Sequence, residues 1–303
     1  MDTVQNLKAF LAVARAGSFS AAAREARLAT SVIAKRIDQL EAATGTQLFA
    51  RSTRHLALTE AGRAWLARVQ PVVSDVEELM ATAARPRNDL AGPLRIKAPT
   101  TLAVLYLADM LARFQMRHPR IDLDIVLTDG ALNPAEEGFD VAISVFGTAY
   151  GGVIDVPLCP VRRTLCAAPV YLAGRPPPAH PRDLVAHDTL SFHPTGDVWM
   201  FNSPQGPVQV TIRPRLRAND GQVLLAACRA GNGIALLSDY LTGPARAAGE
   251  LVALLEEFTV PEIWMKALIP ESRQHVARVR ALVAELGAEL ASPPWQTARA
   301  TPG

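Results

Sequence analysis

The chain has 303 residues, 49% of them hydrophobic and 20% charged, which is an ordinary globular composition for one or two domains. It excludes a mostly disordered chain, a collagen and a disulfide scaffold; Cys159, Cys166 and Cys228 form neither a disulfide framework nor a zinc motif and are expected to be thiols in a reducing compartment. The net charge of +2, from 31 Lys and Arg against 29 Asp and Glu, argues against a chain that binds polyanions along its whole length.

The sum hides two unequal parts. Residues 1–68 hold ten Lys or Arg and five Asp or Glu, a surplus of five positive charges, and the remainder carries a net −3. The basic part opens with a helix in which Leu7, Phe10, Leu11 and Ala14 follow helical spacing and Gly17 is the stop. Ser18 caps a second helix over 19–26. After a break at 27–30, Ser31 is placed to cap a third helix that ends at Thr44 and Gly45. Three short helices with a tight break before the third describe a helix-turn-helix module. On a helical wheel Ile33, Ile37 and Leu40 share one narrow core-facing sector. Ser31, Lys35 and Gln39 lie opposite, with Arg36 on the flank. A polar, basic face on the second helix of such a module suits major-groove reading. Residues 48–59, with the polar centre 51–54 between apolar ends, suit a β-ribbon wing that carries Arg51 and Arg54.

A long helix is predicted from about Thr59. Trp65, Val69, Val72, Val76, Leu79 and Ala83 alternate in steps of four and three, an a/d seam that points to a dimerising helix; Pro71 should kink it or remove a hydrogen bond. The breaker cluster 85–93 marks a boundary, with 89–93 as hinge. Beyond it the pattern changes to strands at 94–98, 121–128, 140–145, 163–168, 189–192, 208–212, 234–237 and 263–269. Helices are predicted at 101–118, 221–230 and 276–290. Strands alternating with helices predict a parallel α/β sheet, and residues 292–303 look like a frayed tail. The start of the chain does not read as a secretory signal, and its apolar runs are too short to span a bilayer, so a cytoplasmic protein with no membrane partner is expected.

Residues 1–66 resemble the winged helix-turn-helix of LysR-type transcriptional regulators, on the stretches LKAFLAVARAGSFSAAAREARL and KRIDQLEAATGTQLFARSTRHLALTEAG. GPLRIKAP, NPAEEGFDVAISV, APVYLAGRPPPAHPRDLVAHD and NDGQVLLAACRAGNGIALL resemble the family's effector-binding domain. The implied fold class is α/β: a winged helix-turn-helix at 1–58, a dimerising linker helix at 59–88 and a two-lobe, periplasmic-binding-protein-like effector domain at 94–291. Lobe one is placed at 94–162 and 269–291, lobe two at 163–268. The resemblance puts Ser31, Lys35, Arg36 and Gln39 in the major groove, and Arg51, Ser52, Thr53 and Arg54 on the backbone or minor groove. The partners it implies are double-stranded operator DNA, a small-molecule effector and a second copy of the chain, assembling further to a tetramer; RNA polymerase is a further candidate.

Two departures from the family pattern stand out. Ala34 occupies a position where a serine usually precedes the basic pair, so base readout there should be apolar or absent. Ser144 replaces the arginine that commonly ends the strand DVAIS occupies, which should change the charge or size of the ligand. Ligands in such sheets sit at strand C-terminal ends in the cleft between lobes. The residues falling there are Thr100, Thr101, Thr128, Ser144, Phe146, Phe192, His193 and Thr195. The hydroxyls and free N–H groups at Thr100 and Thr101 suit a carboxylate, so the expected effector is anionic. The alternative is an α/β metabolic enzyme with a helical appendage, but GxSxG, HExxH, Walker A and CxxC are all missing, and Gly231-Asn232-Gly233 lacks phosphate-loop spacing. Neither catalytic residues nor a cofactor or metal is expected.

Overall fold

The computed structural model describes residues 2–51, 56–82, 90–145, 147 and 149–297. The chain divides into two compact units, Met1–Pro93 with Ala135–Phe139, and Leu94–Pro134 with Asp140–Gly303.

The first unit opens with α1 (Thr3–Ala16), α2 (Phe19–Ala26) and α3 (Thr30–Thr44). Asp2 caps α1 by accepting from Gln5 N, and Ser18 caps α2 by accepting from Ala21 N. Gly17 and Gly45 close α1 and α3 in the left-handed conformation that glycine adopts without a Cβ penalty. The turn into α3 is instead closed by Arg27 at φ 54°. Ser31 does not cap α3: the N-cap is Ala29, whose backbone carbonyl takes Val32 N and Ile33 N, so Ser31 falls within the first turn. The wing is an antiparallel pair, β1 (Phe49–Arg51) and β2 (Leu56–Leu58). The Glu41 carboxylate on α3 accepts from Leu48 N (2.7 Å) and Phe49 N (3.1 Å), fastening the first wing strand to that helix. Phe10, Val13, Ile33, Ile37, Leu40, Leu48 and Phe49 form the buried core.

The long helix α4 runs over Glu60–Thr82, continuous through Pro71, whose missing N–H leaves one helical hydrogen bond unmade. The heptad seam does not survive as a single face. Val69 and Val73 are buried in the core just described, with Trp65 and Leu66 packed against it, whereas Val72 is half-exposed. Packing α4 on α1 consumes the 65–69–73 face and turns Val72 and Met80 outward. Of the remaining seam positions, Ala83 lies outside the described residues.

The second unit begins with β3 (Gly92–Ala98), α5 (Thr100–Leu102), a π-helical turn (Ala103–Leu107), α6 (Ala108–Arg117), β4 (Ile121–Leu127), β5 (Val141–Ser144) and β6 (Val153–Val161). The chain then forms β7 (Arg163–Ala167), α7 (Pro169–Leu172), β8 (Thr189–Phe192), β9 (Val198–Ser203), β10 (Gly206–Thr211), β11 (Pro214–Ala218), α8 (Gly221–Arg229), β12 (Ile234–Ser238), α9 (Asp239–Ala247) and β13 (Val252–Ala253). It ends in β14 (Ile263–Pro270), α10 (Ala277–Leu290) and α11 (Pro294–Thr297). One sheet has the order β4-β3-β5-β14-β6, the other β11-β8-β12-β7-β13, and β9 pairs with β10 as a separate hairpin.

Three expectations need correction. The sheets are mixed, not parallel: β14 runs antiparallel to β5 and β6, and β7 antiparallel to β12 and β13. In each lobe the strand by which the chain arrives from the other lobe, β14 or β7, is the one that runs against its sheet neighbours. The return to lobe one falls at Ile263, six residues before the expected 269, because all of β14 sits between β5 and β6. The tail is ordered to Thr297: Trp295, only 7% exposed, packs against Tyr106 at 4.8 Å and Tyr240 at 5.8 Å between ring centroids. Residues 298–303 lie outside the described residues.

Two contacts give direct tests of these packings. A Cβ on Gly62 would lie 2.1 Å from the Leu48 carbonyl oxygen, a backbone atom that cannot swing aside. Gly62→Ala should therefore destabilise the first unit by about 1–3 kcal/mol, read by calorimetry as a lower midpoint for its transition. In lobe one, Arg273 Nε lies 3.3 Å from Asp140 Oδ1, both side chains being less than a tenth exposed, and Asp140 Oδ2 also accepts from Arg95 N. Asp140→Ala breaks this buried ion pair and should cost about 3–5 kcal/mol, measured by urea unfolding.

Candidate functional site

In the first unit the candidate surface is the outward face of α3. Ile33, Ile37 and Leu40 are 1%, 0% and 2% exposed. Ser31 and Lys35 are exposed on the other side, while Arg36 and Gln39 are half-buried. Gln39 is not wholly outward, since its side-chain oxygen accepts from Asn6 Nδ2 at 3.3 Å and ties α3 to α1. Arg51 lies at the end of β1. Ser52, Thr53 and Arg54 fall outside the described residues.

In the second unit a cleft separates the two lobes. Its walls include Pro99, Thr101, Asp129 and Val145 from lobe one, and Arg163, Phe192, Thr195, Gly221, Tyr240 and Leu241 from lobe two. Of the predicted effector residues, Thr101, Phe192 and Thr195 meet there. Thr128 instead closes its own turn, with its N donating to Ala98 O and its Oγ1 accepting from Gly130 N. Ser144 is buried at the end of β5 and His193 is exposed; neither borders the cleft. Phe146 falls outside the described residues. The cleft is nearly shut, with a cavity of about 40 Å³, room for a water or two.

The electrostatics at Thr100 and Thr101 differ from expectation. Thr100 N donates to Asp129 Oδ2 at 3.3 Å, and Thr101 Oγ1 donates to Asp220 Oδ2 at 2.8 Å. Two of the donors expected to meet an incoming carboxylate are therefore already taken by the protein's own. Asp220 caps α8 through its other oxygen, accepting from Gln222 N and Val223 N. Burial pushes the Asp129 carboxyl above its ordinary range, partly offset by its bonds to Thr100 and by Lys97. Lys97, 3% exposed, is lowered by burial, with the Asp129 charge opposing the shift. Tyr240 is pushed up to about 12 by burial.

Sequence reasoning missed Asp129, Asp220, Arg163 and Tyr240. Asp220 had a readable signal, a capping residue directly before a helix. Arg163 had none, because one arginine of an Arg-Arg pair looks like the other. A larger hollow of about 410 Å³ lies elsewhere on lobe two, lined by Leu254, Leu255, Phe258 and Val260 among others. Arg163 is the one residue it shares with the cleft. The three cysteines are buried free thiols, and burial pushes Cys159 up to about 11, which keeps it protonated and unreactive at neutral pH.

Residues 4–63 match the family model for the bacterial regulatory helix-turn-helix protein of the lysR family, and residues 87–291 match the LysR substrate binding domain. The chain is 29% identical to the HTH-type transcriptional regulator PtxR of Pseudomonas aeruginosa over 98% of this chain and 96% of that one. It is 31% identical to the regulator CrgA of Neisseria meningitidis over 84% and 86%. The solved structure of CrgA superposes with a TM-score of 0.60 at 29% identity, covering 94% of this chain and 98% of that one. Full-length AphB of Vibrio cholerae superposes with a TM-score of 0.60 at 25% identity, covering 93% and 97%. With both modules matched and the helix-turn-helix and two-lobe cleft in place, the chain belongs to the LysR family of transcriptional regulators and is not an enzyme.

Proposed function

We propose that this regulator reads operator DNA with Ser31, Lys35, Arg36 and Gln39 of α3 in the major groove. Arg51, Ser52, Thr53 and Arg54 of the wing hold the backbone or minor groove, and a small anionic effector acts in the cleft between the lobes. The observation that carries the DNA reading is the two-sided character of α3, with a dry face of Ile33, Ile37 and Leu40 and a wet one of Ser31 and Lys35. Ala34 places a methyl group where the family's serine would bond, which favours apolar contact at that base step.

The active unit is a dimer through residues 59–88. The row Val72, Val76 and Met80 supports this, since Val72 and Met80 remain 50% and 74% exposed after the opposite face of α4 is spent on the first unit's own core. A tetramer through the α/β halves, RNA polymerase as a contact partner and action in the cytoplasm complete the reading; no helix among the described residues is long and apolar enough to cross a membrane.

Effector action is a population shift between cleft arrangements, so the effector must bind one of them better. The closed one is held by the Thr101–Asp220 hydrogen bond, by Tyr106 Oη donating to the Tyr240 carbonyl at 2.9 Å, and by Trp295 wedged against both tyrosines. A change in cleft angle would alter the spacing of the DNA-binding pairs and so the DNA bend.

Lys35→Ala and Arg54→Ala should each weaken operator binding and reduce the salt slope by about one; affinity and slope unchanged in both variants would refute the assignment. Thr101→Val keeps the shape but loses a hydrogen bond to a carboxylate, about 1.5–3 kcal/mol, and should let the lobes part. Spin labels at exposed Asp122 and Arg182 would then report longer, broader distances than in the parent chain, and an unchanged distribution would rule out the latch.

A further inference from the structure

We infer that Val32 is a base-reading residue: its isopropyl group packs on the 5-methyl group of a thymine in the major groove and makes the chain select T·A pairs at that step. This rests on the reading of α3 as the helix that enters the groove. It adds an apolar contact to the polar ones of Ser31, Lys35, Arg36 and Gln39.

Four large apolar side chains lie on α3, namely Val32, Ile33, Ile37 and Leu40. The last three are buried, whereas Val32 is 37% exposed and takes no part in the core beneath them. Among the described residues of the three-helix module, the one other large apolar side chain so exposed is Leu28, in the turn just before α3. Apolar exposure in the module is thus confined to the mouth of the recognition helix. At about 100° per residue, Val32 falls on the edge of the outward face, close to the direction of Gln39. Lys35 and Arg36 follow one turn further on.

Helix stability does not explain a valine here. Val32 is the third residue of α3, where a Glu or Gln would bond back to the start of the helix. Ala29 at the cap offers no side-chain acceptor either. A β-branched residue is also a weaker helix former than alanine at an exposed site. Both capping positions therefore carry only methyl groups, and neither sets a carboxylate against the phosphates of DNA.

Groove chemistry decides which base such a side chain can read. Guanine, adenine and cytosine present hydrogen-bonding groups at the major-groove edge, and an isopropyl group would bury them without a partner. Thymine adds a methyl group there. Valine in a helix has one strongly preferred χ1 rotamer, so its own methyls are held in place before DNA arrives.

The test starts from duplexes that the full-length chain selects from a randomised pool, remade with deoxyuridine in place of each thymine in turn. Uracil pairs as thymine does and lacks only the methyl group. Replacement of at least one thymine should weaken binding about threefold to tenfold, the range for losing one buried methyl group. Val32→Ala should bind the thymine duplex more weakly by a similar factor and should no longer distinguish uracil from thymine at that position. Its melting midpoint should be no lower than the parent's, and its salt slope should be unchanged, because no phosphate contact is lost. Uracil tolerated at every position, or the same uracil penalty in Val32→Ala, overturns the role of Val32 and leaves the groove reading standing. A smaller salt slope in Val32→Ala marks a lost phosphate contact instead and also overturns it. A pool from which no sequence is enriched overturns both.

Discussion

The antiparallel ribbon that β6 and β14 form at the edge of the five-stranded sheet is the constraint on which the effector half depends. The chain leaves lobe one through Val161 and re-enters at Ile263, and these residues are register partners across the ribbon. Both crossings are thus held side by side by an antiparallel ladder that continues to Pro270 opposite Val153, with Lys266 and Asp155 paired on it at 2.8 Å. Because the ladder belongs wholly to lobe one, lobe two can change its angle without breaking a sheet. What closes the cleft is side-chain contact, each worth only a few kcal/mol, which is the scale a small ligand can overcome.

The same geometry explains the cleft's charge. Two helix starts, at Thr100 and Gly221, point their unpaired amides toward the interface, and each is occupied by a carboxylate of the chain itself. A helix N-terminus attracts an anion only while its donors are free. Once Asp129 and Asp220 have claimed them, the remaining positive charge on the wall is an arginine at the hinge. The aromatic wedge of Trp295 adds a second link between lobes, because Tyr106 comes from lobe one and Tyr240 from lobe two. Tyr106 stands in a π-helical turn, a rare backbone geometry often found at functional sites.

In the DNA-reading unit one apolar stripe does two jobs. Trp65, Val69 and Val73 finish the core that α1 and α3 begin, and among the described residues Val72 and Met80 stay exposed beside them. The heptad spacing in the sequence merged these faces, since residues three and four apart look alike whether they meet the chain's own core or a second copy. Glu41 shows a comparable economy: a single carboxylate oxygen on α3, Oε1, accepts from two backbone amides at the start of the wing and ties the two elements together.

Local order was legible in the sequence wherever a short-range rule governs it. The stops at Gly17 and Gly45, the Ser18 cap, the buried face of Ile33, Ile37 and Leu40, and the basic surplus in residues 1–68 all follow from spacing, backbone preference or charge within a few residues. The strands β6, β11 and β13 were missed because short or proline-containing segments carry little periodicity, and β9 because Val198–Phe201 is apolar throughout although its two faces alternate in burial. Tertiary structure alone decided that Ile263–Pro270 inserts between β5 and β6, that Trp295 is buried, and that Asp129 and Asp220 occupy the donors at Thr100 and Thr101. Thr101 and Asp220 are 119 positions apart, and no local pattern encodes a hydrogen bond at that separation. The sequence thus determined a basic reading head and an α/β sensing body, while folding determined which of the body's charges remain available to a ligand.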